Sequence, residues 1–549
     1  MITVQEIDGL LLREMVIAGA ALLERNRDAV DALNVFPVPD GDTGTNMSLT
    51  MASATRELNS KEFIRADEAA AALAKGALRG ARGNSGVITS QLYRGFSKAL
   101  AGVEKINPTQ FAAALQKGAE TAYKAVMKPK EGTILTVARV IAENAVNQAR
   151  RAPDDFDALF NVILTTGDVI LNRTREMLPA LKQAGVVDAG GKGLLLLYTG
   201  YAAVLRGEEI TELHAFEAAS SDEFKDDHST ITEVKNAYHT SFTIKDLADD
   251  VEEEDIHTLR RQMNRVGDRV FVDNSDGVVQ VHLHTNDPGK ALQYALDLGE
   301  MTDLEIINIR WQRKDEERKR IEEQRKNEPP KKYGMVSVSL GNGFSNILKE
   351  LNVDKIVDGG QTMNPSIEDI SNAIDAINAE NIFVFPNNGN IILAAQQAAK
   401  ICKDKKVFVL PTKNVAMGIA GAVAFSEDAE PEENVQNMTE AAERVRTGTV
   451  TYAVRDSEYE NLHIKEGDII GLSNGQVTMR ADNVHDVALS LMDGIVTDDD
   501  SLITVYYGAE TKPEDAEALA KELGEKYSNC EVQAQEGGQP LYYYLISVE

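Results

Sequence analysis

Asn34-Val-Phe-Pro-Val-Pro-Asp40-Gly-Asp42-Thr-Gly-Thr-Asn46-Met47 interrupts a run of sequence that is otherwise helical. Two aspartates lie two residues apart on a glycine-rich loop, and Pro37 and Pro39 stiffen the approach to it. Hard oxygen ligands held this close suit Mg²⁺ and the phosphate oxygens it bridges. Asp and Gly are also ordinary turn residues, so Asp-Gly-Asp alone says little; the whole string says far more. On its N-terminal side Ile7, Leu10, Leu11, Met15, Ile17, Ala18, Ala21 and Leu22 follow the i, i+3, i+4 spacing of a buried helical face. On its C-terminal side, Ala-rich stretches at 68–78, 110–126, 137–149 and 193–204 are strong helix formers, and β-branched alternation is scarce. Residues 1–207 are therefore expected to form a helical bundle whose loops carry the chemistry.

Three further loops belong with the first. Gly80-Ala-Arg82-Gly83-Asn84-Ser85-Gly86 runs into a helix expected to start near Val87, and small residues there let backbone N–H groups approach an anion. No Gly-Lys-Ser/Thr follows, so this is not the Walker pattern. Glu131-Gly132-Thr133-Ile-Leu-Thr136 brings hydroxyls to a helix start, where Thr133 and Thr136 could equally be plain caps. Val187-Asp188-Ala-Gly190-Gly191-Lys192-Gly193 adds one carboxylate and three glycines. Four such loops in one helical domain favour a shared nucleotide site over four independent turns.

Beyond residue 207 the texture changes. Residues 208–230 are polar, acidic and weakly patterned, as in a linker. Residues 231–311 are expected to be a small α+β domain. Tyr238–Ile244 alternates; Val270-Phe-Val-Asp and Val278–His284 suit neighbouring strands around Asn274-Ser-Asp-Gly, and Asp287–Leu298 suits a capped helix. Residues 312–332, with nine bases and six acids, fit a solvated connecting helix or linker. From 333 to 549 strands at Gly334–Leu340, Ile382–Phe385 and Lys406–Leu410 alternate with helices at about 343–352, 366–379 and 390–403, the pattern of a parallel α/β layer. A second lobe past about 450 carries strands Leu502–Tyr507 and Tyr542–Val548 around a helix at 513–526.

The 549 residues include 57 Lys+Arg, 87 Asp+Glu and two cysteines, for a formal charge of −30. That balance argues against non-specific binding of nucleic acid. Two cysteines exclude a disulfide-stapled scaffold; Cys402 and Cys530 are read as buried or incidental. Trp311 is read as a packing residue. No stretch approaches the roughly 20 apolar residues of a transmembrane segment, and a cytoplasmic location is expected. The charge is uneven. Residues 1–207 hold 24 bases and 22 acids, for a net +2, so the remaining residues carry −32.

The string 34–47, the Gly80–Gly86 loop and the Gly185–Gly193 loop resemble the nucleotide-binding subunit of dihydroxyacetone kinases, and are most similar to the multidomain branch known as fatty acid kinase A. The resemblance extends to His282-Leu-His284-Thr-Asn-Asp-Pro-Gly289, Gly359-Gly-Gln-Thr-Met-Asn-Pro-Ser366, Pro386–Gln397 and Pro411-Thr-Lys-Asn-Val415. It implies a multidomain chain: an all-α antiparallel helical barrel binding ATP and two Mg²⁺ at its top loops, a small α+β middle domain, and an α/β C-terminal region similar in pattern to the fatty-acid-binding partner's family. It implies phosphorylation of a fatty-acid carboxylate presented by that partner protein, giving an acyl phosphate for phospholipid synthesis. Asp40 and Asp42 would hold the metals. The family's third aspartate maps nearest to Asn34, with one extra residue of spacing, and an amide is a weaker Mg²⁺ ligand. Asn46, Gly83, Asn84 and Ser85 would contact phosphates; Thr133, Thr136, Asp188 and Gly190 would line the nucleotide end. A carboxylate acceptor is already ionised at neutral pH, so no general base is required.

His282 and His284 alternate on one expected strand and so share a face. The resemblance places Cys, also a zinc-type ligand, where this chain has His239. The three histidines are either a structural Zn²⁺ site, or His282 or His284 serves catalysis as a cation steadying developing charge. Two other functions compete with the leading one: a dihydroxyacetone-type small-molecule kinase and a non-catalytic nucleotide-sensing scaffold. A homodimer through the middle domain is expected, and the acidic middle and C-terminal regions are expected to meet a basic face on the partner.

Overall fold

The computed structural model describes residues 2, 4–34, 41–126, 128–208, 237–245, 247, 251, 253–275, 278–296, 298–308, 329–360, 363–459 and 462–549. They fall into two compact units, Met1–Glu217 with Lys331–Glu549, and Ala218–Pro330. The expected 208–230 linker lies outside the described residues except for Glu208. The 312–332 connector does so except for residues 329–332, of which Lys331 and Lys332 open a strand. Asp40 and Trp311 also lie outside them.

The first unit begins with helices α1 (Gly9–Arg25), α2 (Arg27–Asp31), α3 (Thr43–Leu58), α4 (Ala66–Arg79), α5 (Gly83–Ala99), α6 (Pro108–Ala125), α7 (Ile134–Arg151), α8 (Phe156–Met177), α9 (Pro179–Ala184) and α10 (Ala189–Leu205). Consecutive long helices pack side by side, and α10 closes the ring on α1. Short loops make the neighbours antiparallel. The alanine-rich sequence serves both propensity and packing. A Cβ on Gly200 would lie 2.5 Å from the Gly19 Cα, so α1 and α10 touch backbone to backbone. Phe96, Phe111, Phe156 and Phe160 form an aromatic cluster in the barrel core, with Phe111 5.4 Å from Phe96 and 5.3 Å from Phe160 between ring centroids.

The second unit contains β1 (Tyr238–Lys245), α11 (Glu253–Val266), β2 (Gly267–Ser275), β3 (Val278–Thr285), α12 (Pro288–Leu296) and β4 (Glu300–Asn308). The antiparallel sheet has order β2-β3-β1-β4, the split βαβ arrangement. Phe242, Ile244, Val279, Val281 and Leu283 share the core with Ile256, Leu259 and Met263 of α11 and Ala291 and Ala295 of α12.

The chain then re-enters the first unit. β5 (Lys331–Ser339), α13 (Asn342–Glu350), β6 (Lys355–Asp358), α14 (Ile367–Asp375), β7 (Ala379–Phe385), α15 (Ile392–Ile401) and β8 (Lys406–Val409) form a four-stranded parallel sheet of order β6-β5-β7-β8. Strand period two decides its faces. Ile382 and Val384 pack with α14 and α15, while Phe383 and Phe385 pack with α16 (Val415–Val423) and α17 (Pro431–Arg444).

A mixed six-stranded sheet follows. It uses β9 (Arg446–Tyr452), β12 (Ile469–Ser473), β13 (Gln476–Ala481), β14 (Leu502–Tyr507), β15 (Glu531–Glu536) and β16 (Tyr542–Val548) in the order β13-β12-β9-β16-β14-β15. β10 (Ser457–Tyr459) and β11 (Leu462–Ile464) form a separate hairpin, and α18 (Val484–Asp493) and α19 (Pro513–Lys526) cover the large sheet.

The α14–α15 face also binds the barrel. Ala81 and Val87, at the start of α5, are fully buried in one apolar cluster with Ile367, Ile370 and Ala394. The barrel and the C-terminal region therefore share part of a core.

Candidate functional site

The N-termini of α3, α5, α7 and α10 meet at one end of the barrel. Asn46, in the first turn of α3, faces Gly83 at the head of α5; a Cβ on Gly83 would lie 2.5 Å from Asn46 Nδ2. The backbone N–H of Ile134, at the head of α7, reaches Asp188, the residue capping α10. Met47 of α3 packs on Gly193 of α10, where a Cβ would meet its Cε at 2.8 Å. Four positive helix ends thus converge, as an anion site requires.

Asp42 sits at the N-cap of α3, where its buried side chain makes no capping bond. The donors at the start of α3 are taken by Asp31, which accepts from Gly44 N–H at 2.6 Å, Thr45 N–H at 3.2 Å and the Thr45 hydroxyl at 2.7 Å. The sequence points to Asn34 as the third acid's counterpart and gives no local sign of Asp31, because Asp31 caps a helix thirteen residues downstream across a loop. Asn34 sits beside it, its Cβ 3.6 Å from the place a Cβ on Gly41 would occupy.

Helix α5 starts at Gly83 rather than near Val87, so Asn84 and Ser85 lie in its first turn. Gly83 is at φ +55°, where a side chain would be strained as well as crowded by Asn46. The Asn84 amide donates to Asn390 Oδ1 at 3.0 Å, and the Ser85 carbonyl accepts from the Thr89 hydroxyl at 2.9 Å.

At the other side of the mouth Thr133 caps α7 by position only, its hydroxyl donating to Lys130 O at 2.9 Å. Thr136 is fully buried; its hydroxyl donates to Glu131 Oε2 at 2.7 Å and accepts from Gly132 N–H at 2.9 Å. That bond, with Tyr123 and Arg139, holds the Glu131 carboxyl below its usual range. Thr136 thereby pins its loop, and its hydroxyl is engaged on both sides. Asp188 accepts from Gly191 N–H at 2.7 Å. Burial pushes its carboxyl up to about 6, against the opposing pull of the Gly191 and Ile134 amides. Gly190 lies against Asp188 and Ile134; a Cβ there would sit 3.2 Å from Ile134 Cβ and 3.4 Å from Asp188 Oδ2, a tight fit.

The C-terminal region borders the same end. Arg82 Nη1 donates to Asn364 O at 2.8 Å, Arg82 Nη2 lies 3.5 Å from Asp369, and Ile367 N–H donates to Ala81 O at 3.1 Å. Arg455 donates to Ala32 O at 2.9 Å. Asn364 Nδ2 donates to Asp42 Oδ2 at 2.5 Å and lies 3.5 Å from Asn46 Oδ1. Asn364 is buried, and its Oδ1 has no hydrogen-bond partner among the described residues. A buried carboxylate, and an orphaned amide oxygen on the side chain that donates to it, are hard oxygen donors of the kind a divalent cation takes.

The histidines belong to the other unit. His239 stands opposite His284 across β1 and β3; His282 pairs with Ser241 and is flanked on β2 by Phe271. The His239 ring is 5.4 Å from His284, edge-on, and 6.1 Å from His282, stacked. Two imidazoles on one tetrahedral zinc would turn their nitrogens to a common point. Among the described residues no group of three or more His, Cys, Asp or Glu side chains is placed to hold a metal ion. Cys402 and Cys530 are free, half-buried thiols.

Three family models cover most of the chain. The DAK2 domain matches residues 37–203, the FakA-like (fatty acid kinase A-like) middle domain residues 235–316, and the FakA-like C-terminal model residues 334–549. Protein YloV of Bacillus subtilis is 41% identical over 554 residues, covering all of both chains. The chain belongs to the FakA-like family. Uncharacterized protein SAR1202 of Staphylococcus aureus is 38% identical over 552 residues, again along the whole of both. Among solved structures, a Streptococcus pneumoniae fatty acid kinase B3 protein loaded with linoleic acid aligns with 40% of this chain and 99% of its own, at 13% identity and TM-score 0.30. The dihydroxyacetone kinase of C. freundii aligns with 36% of each chain at 18% identity and TM-score 0.26. The expected multidomain architecture stands: a helical DAK2 domain followed by α/β middle and C-terminal regions. No helix among the described residues is long and apolar enough to cross a membrane.

Proposed function

We propose that this FakA-like kinase uses ATP to phosphorylate the carboxylate of a fatty acid presented by a separate fatty-acid-binding protein, giving an acyl phosphate for phospholipid synthesis in the cytoplasm. The observation that carries the reading is the convergence of four helix N-termini at the end of the barrel where the buried Asp42 stands at the head of α3. Phosphoryl transfer is mostly positioning and charge neutralisation, and such an end supplies both. Asp40, Asp42 and Asn34 would hold Mg²⁺, which neutralises the phosphate charge when bound. Asn46 and the backbone of Gly83, Asn84 and Ser85 orient the phosphates. Thr133 and Gly190 border the nucleotide, Thr136 fixes the Glu131 loop, and Asp188 keeps α10 in place. The acceptor carboxylate needs no proton removed.

For the middle unit we favour the catalytic reading of His282 and His284 over zinc, because among the described residues no group of three or more His, Cys, Asp or Glu is placed to hold a metal ion. His282→Ala should lower turnover with folding and metal content unchanged; loss of bound zinc together with folding would favour the metal site. Exposed Leu304 and Ile306 on edge strand β4 suit a homodimer contact, which sedimentation of a Leu304→Lys variant would test.

The deciding measurement is acyl phosphate formation from ATP and oleate, with and without a fatty-acid-binding protein. We expect product only with the partner present. Turnover of free dihydroxyacetone would point to the small-molecule kinase, and nucleotide binding with no transfer at all to a sensing scaffold.

A further inference from the structure

We propose that the cation site of this kinase is completed from the C-terminal region, with Asn364 as a cation-facing residue whose amide oxygen serves the ion held by Asp42. This rests on the nucleotide-site reading above.

The two ends of one side chain carry the inference. Asn364 Nδ2 donates to Asp42 Oδ2 at 2.5 Å, which fixes the amide's orientation, since a carboxylate oxygen accepts and cannot donate. Oδ1 therefore faces away from Asp42 Oδ2 as an acceptor. It is buried, and no donor among the described residues reaches it. A buried amide oxygen left without a partner is costly, so the site favours whatever can satisfy it. Phosphate oxygens are acceptors too and cannot satisfy it. A divalent cation, or a water in its shell, can. The nitrogen of the same amide contacts Asp42 and lies 3.5 Å from Asn46 Oδ1 and beside the Gly83 turn, where the phosphates are expected, so the orphaned oxygen is one amide width from that point.

The backbone around Asn364 is held independently of its side chain. Arg82 bonds its carbonyl, and Ile367 N–H bonds Ala81 O. Removing the side chain thus leaves the docking of the two regions in place. A parallel contact, Asn84 to Asn390 at 3.0 Å, also joins the two regions but has no orphaned acceptor and provides the control.

The test is Mn²⁺ binding, read by electron paramagnetic resonance on the full chain with a non-hydrolysable ATP analogue, for wild type, Asn364→Ala, Asn364→Leu and Asn390→Ala. Wild type should bind Mn²⁺ with the nucleotide; if it does not, the nucleotide-site reading fails. Both Asn364 variants should bind Mn²⁺ about tenfold more weakly, with thermal midpoints near wild type, while Asn390→Ala stays within about twofold. Unchanged or tighter Mn²⁺ binding in the Asn364 variants would overturn the inference and mark the contact as a latch. An equal loss in Asn390→Ala would also overturn it, because domain docking alone would then account for the effect.

Discussion

Asp31 accepts three hydrogen bonds from Gly44 and Thr45, so the loop between residues 31 and 43 is tied at both ends before any ligand arrives. Asp31→Ala leaves two helix donors and a hydroxyl without that acceptor and should cost about 1–2 kcal/mol, read as a lower urea midpoint. An unchanged midpoint would mean that water replaces the carboxylate. Asp188 makes a pH prediction. Its folded-state value is raised to about 6, so the folded state favours the protonated form. The stability this contributes is present in full below about pH 4, the ordinary aspartate value, and is lost as pH rises through about 6. Asp188→Asn keeps the acceptor for Gly191 and removes the titration. Wild type should therefore lose thermal stability relative to that variant between about pH 4 and 7, and parallel pH curves would refute the burial argument. Asp42 and the glycine loops are legible in the sequence because their chemistry is written in consecutive residues. Asp31 and Asn364 are not, because each acts on a partner that only the fold brings near.

At the scale of elements, helices with alanine-rich or capped sequences announce themselves; α19 spans residues 513–526 as expected. Helix α11 does not, because Ile256, Leu259 and Met263 keep the right spacing inside a strongly charged segment that masks it. The strands between β9 and β13 escape the sequence reading despite a usable signal. Asn474-Gly475 joins β12 to β13 with both residues at positive φ, 49° and 83°, the tight hairpin turn that Asn-Gly favours. Helix α14 bears a prediction at this scale. Ile367 is fully buried against Ala81 and Val87 of the barrel. Ile367→Ala should cost about 2–4 kcal/mol and make the barrel–C-terminal boundary open to proteases; no change in either would show that the shared cluster contributes little.

For the whole molecule, the −30 charge separates into a near-neutral 1–207 and an acidic remainder. A nucleotide-binding part at net +2 does not repel ATP. The acidic part should steer a basic partner, so the association rate of the fatty-acid-binding protein should fall as salt rises from about 50 to 300 mM, and a flat salt profile would leave the acidity as a solubility feature.

The first unit is assembled from the two ends of the chain, with the second unit inserted between them. Its integrity then rests on surface complementarity and not on the peptide bonds that link its parts. Residues 1–208 and 329–549, produced as separate polypeptides in one cell, should find each other and purify as a heterodimer that binds nucleotide, an intragenic complementation that the middle segment neither helps nor hinders.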